Sequence, residues 1–409
     1  MRRSLVTVVV AALIAPLALS GCGDKQKPAA AAVPSVSAGA SASSSPGVES
    51  AAVPITLAVT PAGGKTNVPT SAEVGLQVSG AKVTSVTLTD SKGKAVAGAL
   101  RDDGSSWVPG KTLKTKETYA ASVVATSDSG LTKTVRTTFT TMGAPAHKTG
   151  TGLYVFDGQT YGVAMPVVAE FNPGIKPADR AAVQKRMFVQ TDPPQPGVWS
   201  WTSSGTQAYY RAPQYWQPGT KLTVRIAVGG LPTGGGRYGN QDRSAVAKIG
   251  RKLEMNVDNA TKKMTVVQDG KVLKTMPVSL GRPSKPSVSG TMVIMDKQTQ
   301  TVFDTTDTAG SAGYKVNIQY AQRLTWSGQF VHSAPWSVGA QGHRNVSHGC
   351  VNVSPSNAVW LFGKSLIGDP VVVTGTGTKL AYGDGWTAWN VSWDEFVKGS
   401  ALPVPTSLK

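Results

Sequence analysis

Residues 331–352 read VHSAPWSVGAQGHRNVSHGCVN. The chain has four histidines and two cysteines in 409 residues, and this stretch holds His332, His343, His348 and Cys350. Such crowding has three physical readings: a metal site, a nucleophilic active site, or residues gathered by a folded core. All four side chains are permitted zinc ligands. Their spacings, with ten, four and one intervening residues, match neither the C-x2-C nor the H-x3-H pairs of structural zinc sites. No Asp or Glu lies within the stretch to support a ligating imidazole. No metal and no cofactor is expected.

The nucleophilic reading accounts for more. Cys350 follows Gly349 in what reads as a tight turn, where backbone N–H groups can face a developing oxyanion. A histidine further off can take the thiol proton, because the imidazole pKa lies near the working pH. His332 ends the run Gln329-Phe330-Val331, which a strand would hold firmly. Its partner is expected to be a nearby carbonyl or hydroxyl, with Ser333 adjacent.

The other cysteine sits at the end of an export signal. Arg2 and Arg3 precede an apolar run over residues 5–19, too short for a comfortable membrane span. Leu19-Ser20-Gly21-Cys22 then resembles a bacterial lipobox, in which the cysteine is lipidated and becomes the first residue. On this reading residues 1–21 are a signal peptide, and lipid on Cys22 anchors the chain to the outer face of the cell membrane. Cys350 is then alone in the mature chain and has no intramolecular disulfide partner. An unpaired thiol in an oxidising compartment is a liability unless it is used.

Residues 22–52 form the expected tether. Nine Ala, seven Ser and three Pro among residues 23–52 cannot bury a core. Random-coil scaling gives a reach of about 30 Å. Net charge is +18, or +16 without Arg2 and Arg3. Export argues against nucleic acid as a partner; anionic headgroups and wall polymers suit the basic surface, which also serves solubility.

The folded part reads as mainly β. Over 53–142, β-rich runs such as ITLAVTP, AEVGLQVSG, KVTSVTLTD, ETYAASVVAT and TKTVRTTFTT alternate with turns, as in an immunoglobulin-like sandwich. This unit offers no His, no Cys and no convergent carboxylates, and reads as a spacer. A second unit, 143–250, has strand candidates TYGVAMPVVAEF, KRMFVQTD, SWTSSGTQAYYR and TKLTVRIAV. Its Gly-rich LPTGGGRYGNQDR lacks the Lys-Ser/Thr of a phosphate cradle and reads as a packed turn. From 251 to 375, LEMNVD, a hairpin about Asp269-Gly270, SGTMVIMDK and GDPVVVTGT give strands. Ser354-Pro355 opens one short helix. In the extension, 376–409, Trp386, Trp389 and Trp393 fall on one face of an expected helix. They would serve as a sugar platform or, on the favoured reading, pack on the domains.

His332, fourteen intervening residues, then Ser347-His348-Gly349-Cys350-Val351-Asn352 is similar to the signature of L,D-transpeptidases with a YkuD-type catalytic domain. HSAPWSVGAQGH further resembles their actinobacterial branch, which combines an anchored N-terminus, two immunoglobulin-like domains and a C-terminal extension. The resemblance implies that Cys350 attacks the third residue of a peptidoglycan tetrapeptide stem, releasing D-alanine and leaving a thioester. An acceptor stem's amine then forms a 3→3 cross-link. His332 is implied as general base and acid, positioned by Ser333. Amides of Gly349 and Cys350, with Tyr314, are implied as oxyanion and lid contacts, and Ser327, Gly328 and Asn352 as substrate contacts. His348 would orient the turn, and Trp336 and His343 would line or support the site. A carbapenem is expected to acylate Cys350. An L,D-carboxypeptidase would use the same Cys and His, and a non-catalytic wall-binding lipoprotein would use neither. Residues 296–313 fall where the family has its lid and match it poorly. The loop Pro232-Thr233-Gly234-Gly235-Gly236 carries no carboxylate, so the calcium of some relatives is not expected there.

Overall fold

The structure is a computed structural model that describes residues 54–304, 306 and 315–409. The expected signal peptide, Cys22, the whole tether and Tyr314 lie outside the described residues. The fold is mainly β: two immunoglobulin-like sandwiches, a mostly β third domain with one short helix, Pro355–Lys364, among its described elements, and a C-terminal extension. Among the described residues, no helix is long and apolar enough to cross a membrane.

In the first sandwich, the strands Thr56–Thr60, Val74–Ser79, Ser106–Pro109 and Gly98–Leu100 form one sheet. Lys65–Val68, Thr132–Thr141, Thr118–Thr126 and Lys82–Thr89 form the other. Alternation builds the core: Tyr119, Ala121, Val123 and Ala125 point inward from one strand, against Leu88, Trp107 and Phe139.

The second unit pairs a four-stranded sheet with a six-stranded one. The single strand read over TYGVAMPVVAEF is in fact two, Thr160–Tyr161 and Val167–Asn172. The intervening backbone is used elsewhere: Gly162 N–H donates to Ile367 (2.8 Å) and Ala164 N–H to Gly368 (3.0 Å). A Cβ at Gly162 would collide with Asp369. The Gly-rich loop is a short hairpin, Pro232–Gly234 with Arg237–Gly239. Sequence reading gave no sign of the helix Pro177–Gln184. That helix brings Asp179 against Gly234, where a Cβ would meet its carboxylate, so the loop has an acidic neighbour that its own residues lack. Among the described residues, no three His, Cys, Asp or Glu side chains gather to hold a metal ion.

The third domain has two sheets. Lys271–Pro277, Lys263–Gln268, Leu253–Asp258, Pro370–Thr374 and Gly290–Val293 form the first. Asp269 (φ 50°) and Gly270 (φ 81°) make its hairpin turn, the positive φ values that an Asp-Gly pair supplies. The second runs Asp296–Asp304, Lys315–Arg323, Phe330–Ser333, Val351–Val353. Helix Pro355–Lys364 begins as read, with Asn357 N–H donating to the Ser354 hydroxyl (3.3 Å).

The Trp-rich tail is not one helix. It forms a 3-10 turn, Ala388–Asn390, and a separate helix, Trp393–Lys398, whose start is capped by Ser392 accepting from Glu395 N–H (3.2 Å). Trp386 and Phe396 are buried on the second sandwich, and Trp389 and Trp393 are half-buried against it. Arg211 lies over Trp389 (4.5 Å), Trp393 (5.2 Å) and Phe396 (4.4 Å), and donates to the Val391 carbonyl (3.1 Å). Trp389 Nε1 donates to Ala164 (2.7 Å). The aromatic rings hold the extension to the sandwich.

Candidate active site

The strands Phe330–Ser333 and Val351–Val353 run parallel, with Val331 opposite Val351 and His332 opposite Asn352. Side chains alternate along a strand, so Phe330, His332, Cys350 and Asn352 share one face of the sheet. His332 and Cys350 are diagonal neighbours, with Cα atoms roughly 8 Å apart by strand geometry. Both line a cleft of about 390 Å³ with Phe303, Val316, Ile318, Trp336, Val346, Ser347, His348 and Asn352.

His332 is buried, and its Nδ1 lies 2.8 Å from the Ser333 backbone carbonyl. A carbonyl only accepts, so Nδ1 carries the proton and Nε2 is left as the base. The partner of His332 is therefore the main chain of Ser333. Phe303 stands edge-on to the imidazole (5.5 Å) and Trp336 tilts over it (6.1 Å). Burial pulls the imidazole below its ordinary pKa, opposed by the Ser333 bond. Burial pushes the Cys350 thiol up to about 12, against a lowering backbone hydrogen bond at Phe330. At neutral pH the pair is thus thiol and neutral imidazole, and Sγ donates to the Gly328 carbonyl at 3.8 Å.

The turn that carries Cys350 is clamped from both sides. Ser347 Oγ donates to the Cys350 carbonyl (2.7 Å) and accepts from Gly349 N–H (3.1 Å). Ser287 Oγ donates to the Gly349 carbonyl (2.6 Å) and accepts from Gly281 N–H (2.9 Å). Gly349 has φ 130°, which L side chains rarely adopt, although a Cβ there would find ordinary space 3.6 Å from Gln329. Gln329 in turn accepts from Val288 N–H (3.1 Å). The Gly349 N–H is thereby occupied, which differs from its expected oxyanion role: the Ser347 hydroxyl sits close enough to claim it.

Other sequence candidates take varied places. Gly328 (φ 98°) accepts from the thiol. Ser327 is tied away from the cleft: its N–H and hydroxyl both donate to Asp384 (2.8 and 2.6 Å). Asn352 lies in the cleft wall and donates through Nδ2 to Ser337 Oγ (3.2 Å). Trp336 is exposed at the rim. His343 is exposed and lies outside the cleft lining. His348 lines the cleft, and burial with the charges of Arg282 and Lys285 lowers its pKa. Sequence reading missed Ser287, Gln329, Phe303 and Asp384. Each reaches the site through tertiary contact, and none carries a local sequence signal.

Comparison with known proteins gives the family. Residues 254–373 match the L,D-transpeptidase catalytic domain (YkuD), and residues 65–232 match the bacterial Ig domain. The chain is 35% identical over 343 residues to L,D-transpeptidase 2 of Mycobacterium tuberculosis, covering 83% of each protein. It is 35% identical over 360 residues to L,D-transpeptidase 5 of the same species, covering 86% of this chain and 78% of that one. A solved structure titled as LdtMt1 in complex with imipenem shares 35% identity and a TM-score of 0.47, over 56% of this chain and all of that one. With its catalytic domain matched from end to end and two relatives covered over most of their length, the chain belongs to the L,D-transpeptidase family.

Proposed function

We propose that this protein forms 3→3 cross-links in peptidoglycan through a thioester on Cys350. The observation that carries the reading is one cleft holding Cys350 and a buried His332 whose Nδ1–H is fixed on the Ser333 carbonyl. The family acts on peptidoglycan stem peptides. Because the thiol is protonated at rest, attack and deprotonation proceed together. Nε2 of His332 takes the Sγ proton as sulfur bonds to the carbonyl carbon of the donor's third residue. The Cys350 N–H, with the Gly349 N–H already held by Ser347, is the amide of this turn that faces the oxyanion. Collapse breaks the peptide bond, and His332 returns the proton to the departing D-alanine amine. The acceptor's side-chain amine then attacks the thioester, gives a proton to His332, and the thiolate regains it. Trp336 and Asn352 wall the donor channel, and Gly328 meets the sulfur. His348 and Ser333 act by position.

Lipid on Cys22 anchors the enzyme outside the membrane, with the tether setting its reach. Loss of membrane retention in Cys22→Ser tests this part.

Intact-mass measurement with a carbapenem tests the chemistry. Wild type gains one adduct and Cys350→Ala gains none; an adduct on Cys350→Ala overturns the assignment. With purified tetrapeptide, dimer plus free D-alanine is expected, and tripeptide without dimer would make the enzyme a carboxypeptidase.

A further inference from the structure

The turn Arg282-Pro283-Ser284-Lys285 lies directly beside the nucleophile's loop. Arg282 N–H donates to the Ser347 carbonyl (3.0 Å), and Gly281 pairs with Ser347. Lys285 N–H closes the turn on the Arg282 carbonyl (2.8 Å). The shape is enforced, since a Cβ at Gly281 would strike the Lys285 carbonyl. Both basic residues are exposed. Among the described residues neither forms an ion pair with a carboxylate. The turn therefore sits against Ser347 and next to His348, both of which line the cleft, and the charges of Arg282 and Lys285 add to the burial that lowers the His348 pKa. Two exposed cations beside a largely apolar cleft make a built-in preference for an anionic group arriving with the substrate.

Taking the Proposed function as its basis, we propose that Arg282 and Lys285 form a carboxylate-binding subsite for the donor stem on the His348 side of the cleft. The bound chemistry is a free carboxylate. A tetrapeptide stem offers this at its terminal D-alanine and, where not amidated, on its second and third residues. Guanidinium and ammonium differ in use: Arg282 can grip a carboxylate through two parallel N–H groups, whereas Lys285 acts as a point charge. Amidation of the contacted group removes the charge and the grip together, so this subsite makes the enzyme discriminate between amidated and free stems.

The test compares donor tetrapeptides that are free, amidated on the second residue, amidated on the third, or capped as the D-alaninamide. Steady-state kinetics are read in wild type, Arg282→Gln/Lys285→Gln and a control, Lys92→Gln/Lys94→Gln, which removes the same charge from the first sandwich. One amidated donor is expected to show a KM raised about three- to tenfold in wild type, the range two exposed ion pairs support. The double variant should show that same KM for free and amidated donors alike, with kcat little changed, and 0.5 M salt should erase the wild-type preference. The arm that loses its preference identifies the carboxylate. Equal KM for all four donors in wild type, or an equal rise in the control, overturns the subsite. Absence of any turnover by wild type would instead count against the underlying function.

Discussion

Ser287 gives the sharpest test of how the turn carrying Cys350 is held. Its hydroxyl is buried, at 1% residue exposure, and makes one bond as donor to Gly349 and one as acceptor from Gly281. Ser287→Ala leaves a carbonyl and an N–H unsatisfied in a site with little room. Each unsatisfied group costs about 1–3 kcal/mol, so the turn loses about 2–4 kcal/mol after partial relaxation. The carbonyl concerned belongs to the residue before Cys350, whose φ of 130° needs outside support. Acylation by a carbapenem, followed by intact mass against time, reads whether that support matters for chemistry. If about half the loss is felt in the transition state, the rate falls about 5- to 30-fold. Ser287→Thr keeps the hydroxyl and should recover most of the rate. Urea unfolding of the same proteins separates the positional loss from global destabilisation. If Ser287→Ala acylates at the wild-type rate, the clamp is idle and the account of the turn is wrong.

Gly349→Ala should slow acylation as well, here through conformation and not crowding: the Cβ has space, and the φ costs about 1–3 kcal/mol. A crystal structure of the variant with unchanged φ and normal acylation would contradict this. The acylation rate should fall on acidification with a midpoint below 6.5, because burial depresses His332 and only the neutral imidazole accepts the thiol proton. The stability contribution has the same sign: it is full above 6.5 and lost as pH falls through the folded value. A midpoint above 6.5 in the pH–rate profile would exclude the buried base. Glu73 joins Arg101 (2.5 Å) of the first sandwich to Arg186 (2.5 Å) of the second. Burial alone would raise its pKa, but Arg101, Ser106 and Arg186 outweigh it and bring the carboxyl to about 2. Its contribution is therefore present above 4.5 and lost as pH falls toward 2. Glu73→Gln should lower stability by about 2–4 kcal/mol at pH 7 by leaving buried Arg186 without its partner. Acid-unfolding curves of wild type and variant should converge near pH 2, and parallel curves would contradict the brace.

The strands of the first sandwich were legible because their alternation is regular: Val74–Ser79, Lys82–Thr89 and Thr132–Thr141 lie inside the runs read from sequence. The helix after Ser354-Pro355 was legible for another local reason, its capping serine followed by proline in the first turn. TYGVAMPVVAEF was misread because residues 162–164 have strand composition but spend their backbone hydrogen bonds on residues 367 and 368. The Trp-rich tail was misread as one helix because ring spacing ignores Ser392, a cap that starts a new helix after Trp389. At the site, Cys350 and His332 stood out by rarity and spacing. Ser287 and Asp384 did not, since a serine or aspartate gains its role only from which carbonyl or N–H the fold sets beside it.

The second sandwich does more than extend the chain. Its core takes in Val293 and Met295 from the catalytic domain and Trp386, Ala388 and Phe396 from the extension. Tyr209 donates to the Gly385 carbonyl (2.9 Å), and the neighbouring Asp384 holds Ser327 by two bonds. Ser327 leads into Gly328, whose carbonyl meets the thiol. A continuous path of contacts thus runs from the sandwich, through the extension, to the loop touching Cys350, buried at Tyr209 and exposed at Ser327. The fold assigns that loop's geometry to the extension as much as to the catalytic sheet. Removing the extension would strip Ser327 of Asp384 and expose the apolar face of the second sandwich, so the catalytic domain depends on this neighbour for the loop that meets the Cys350 thiol.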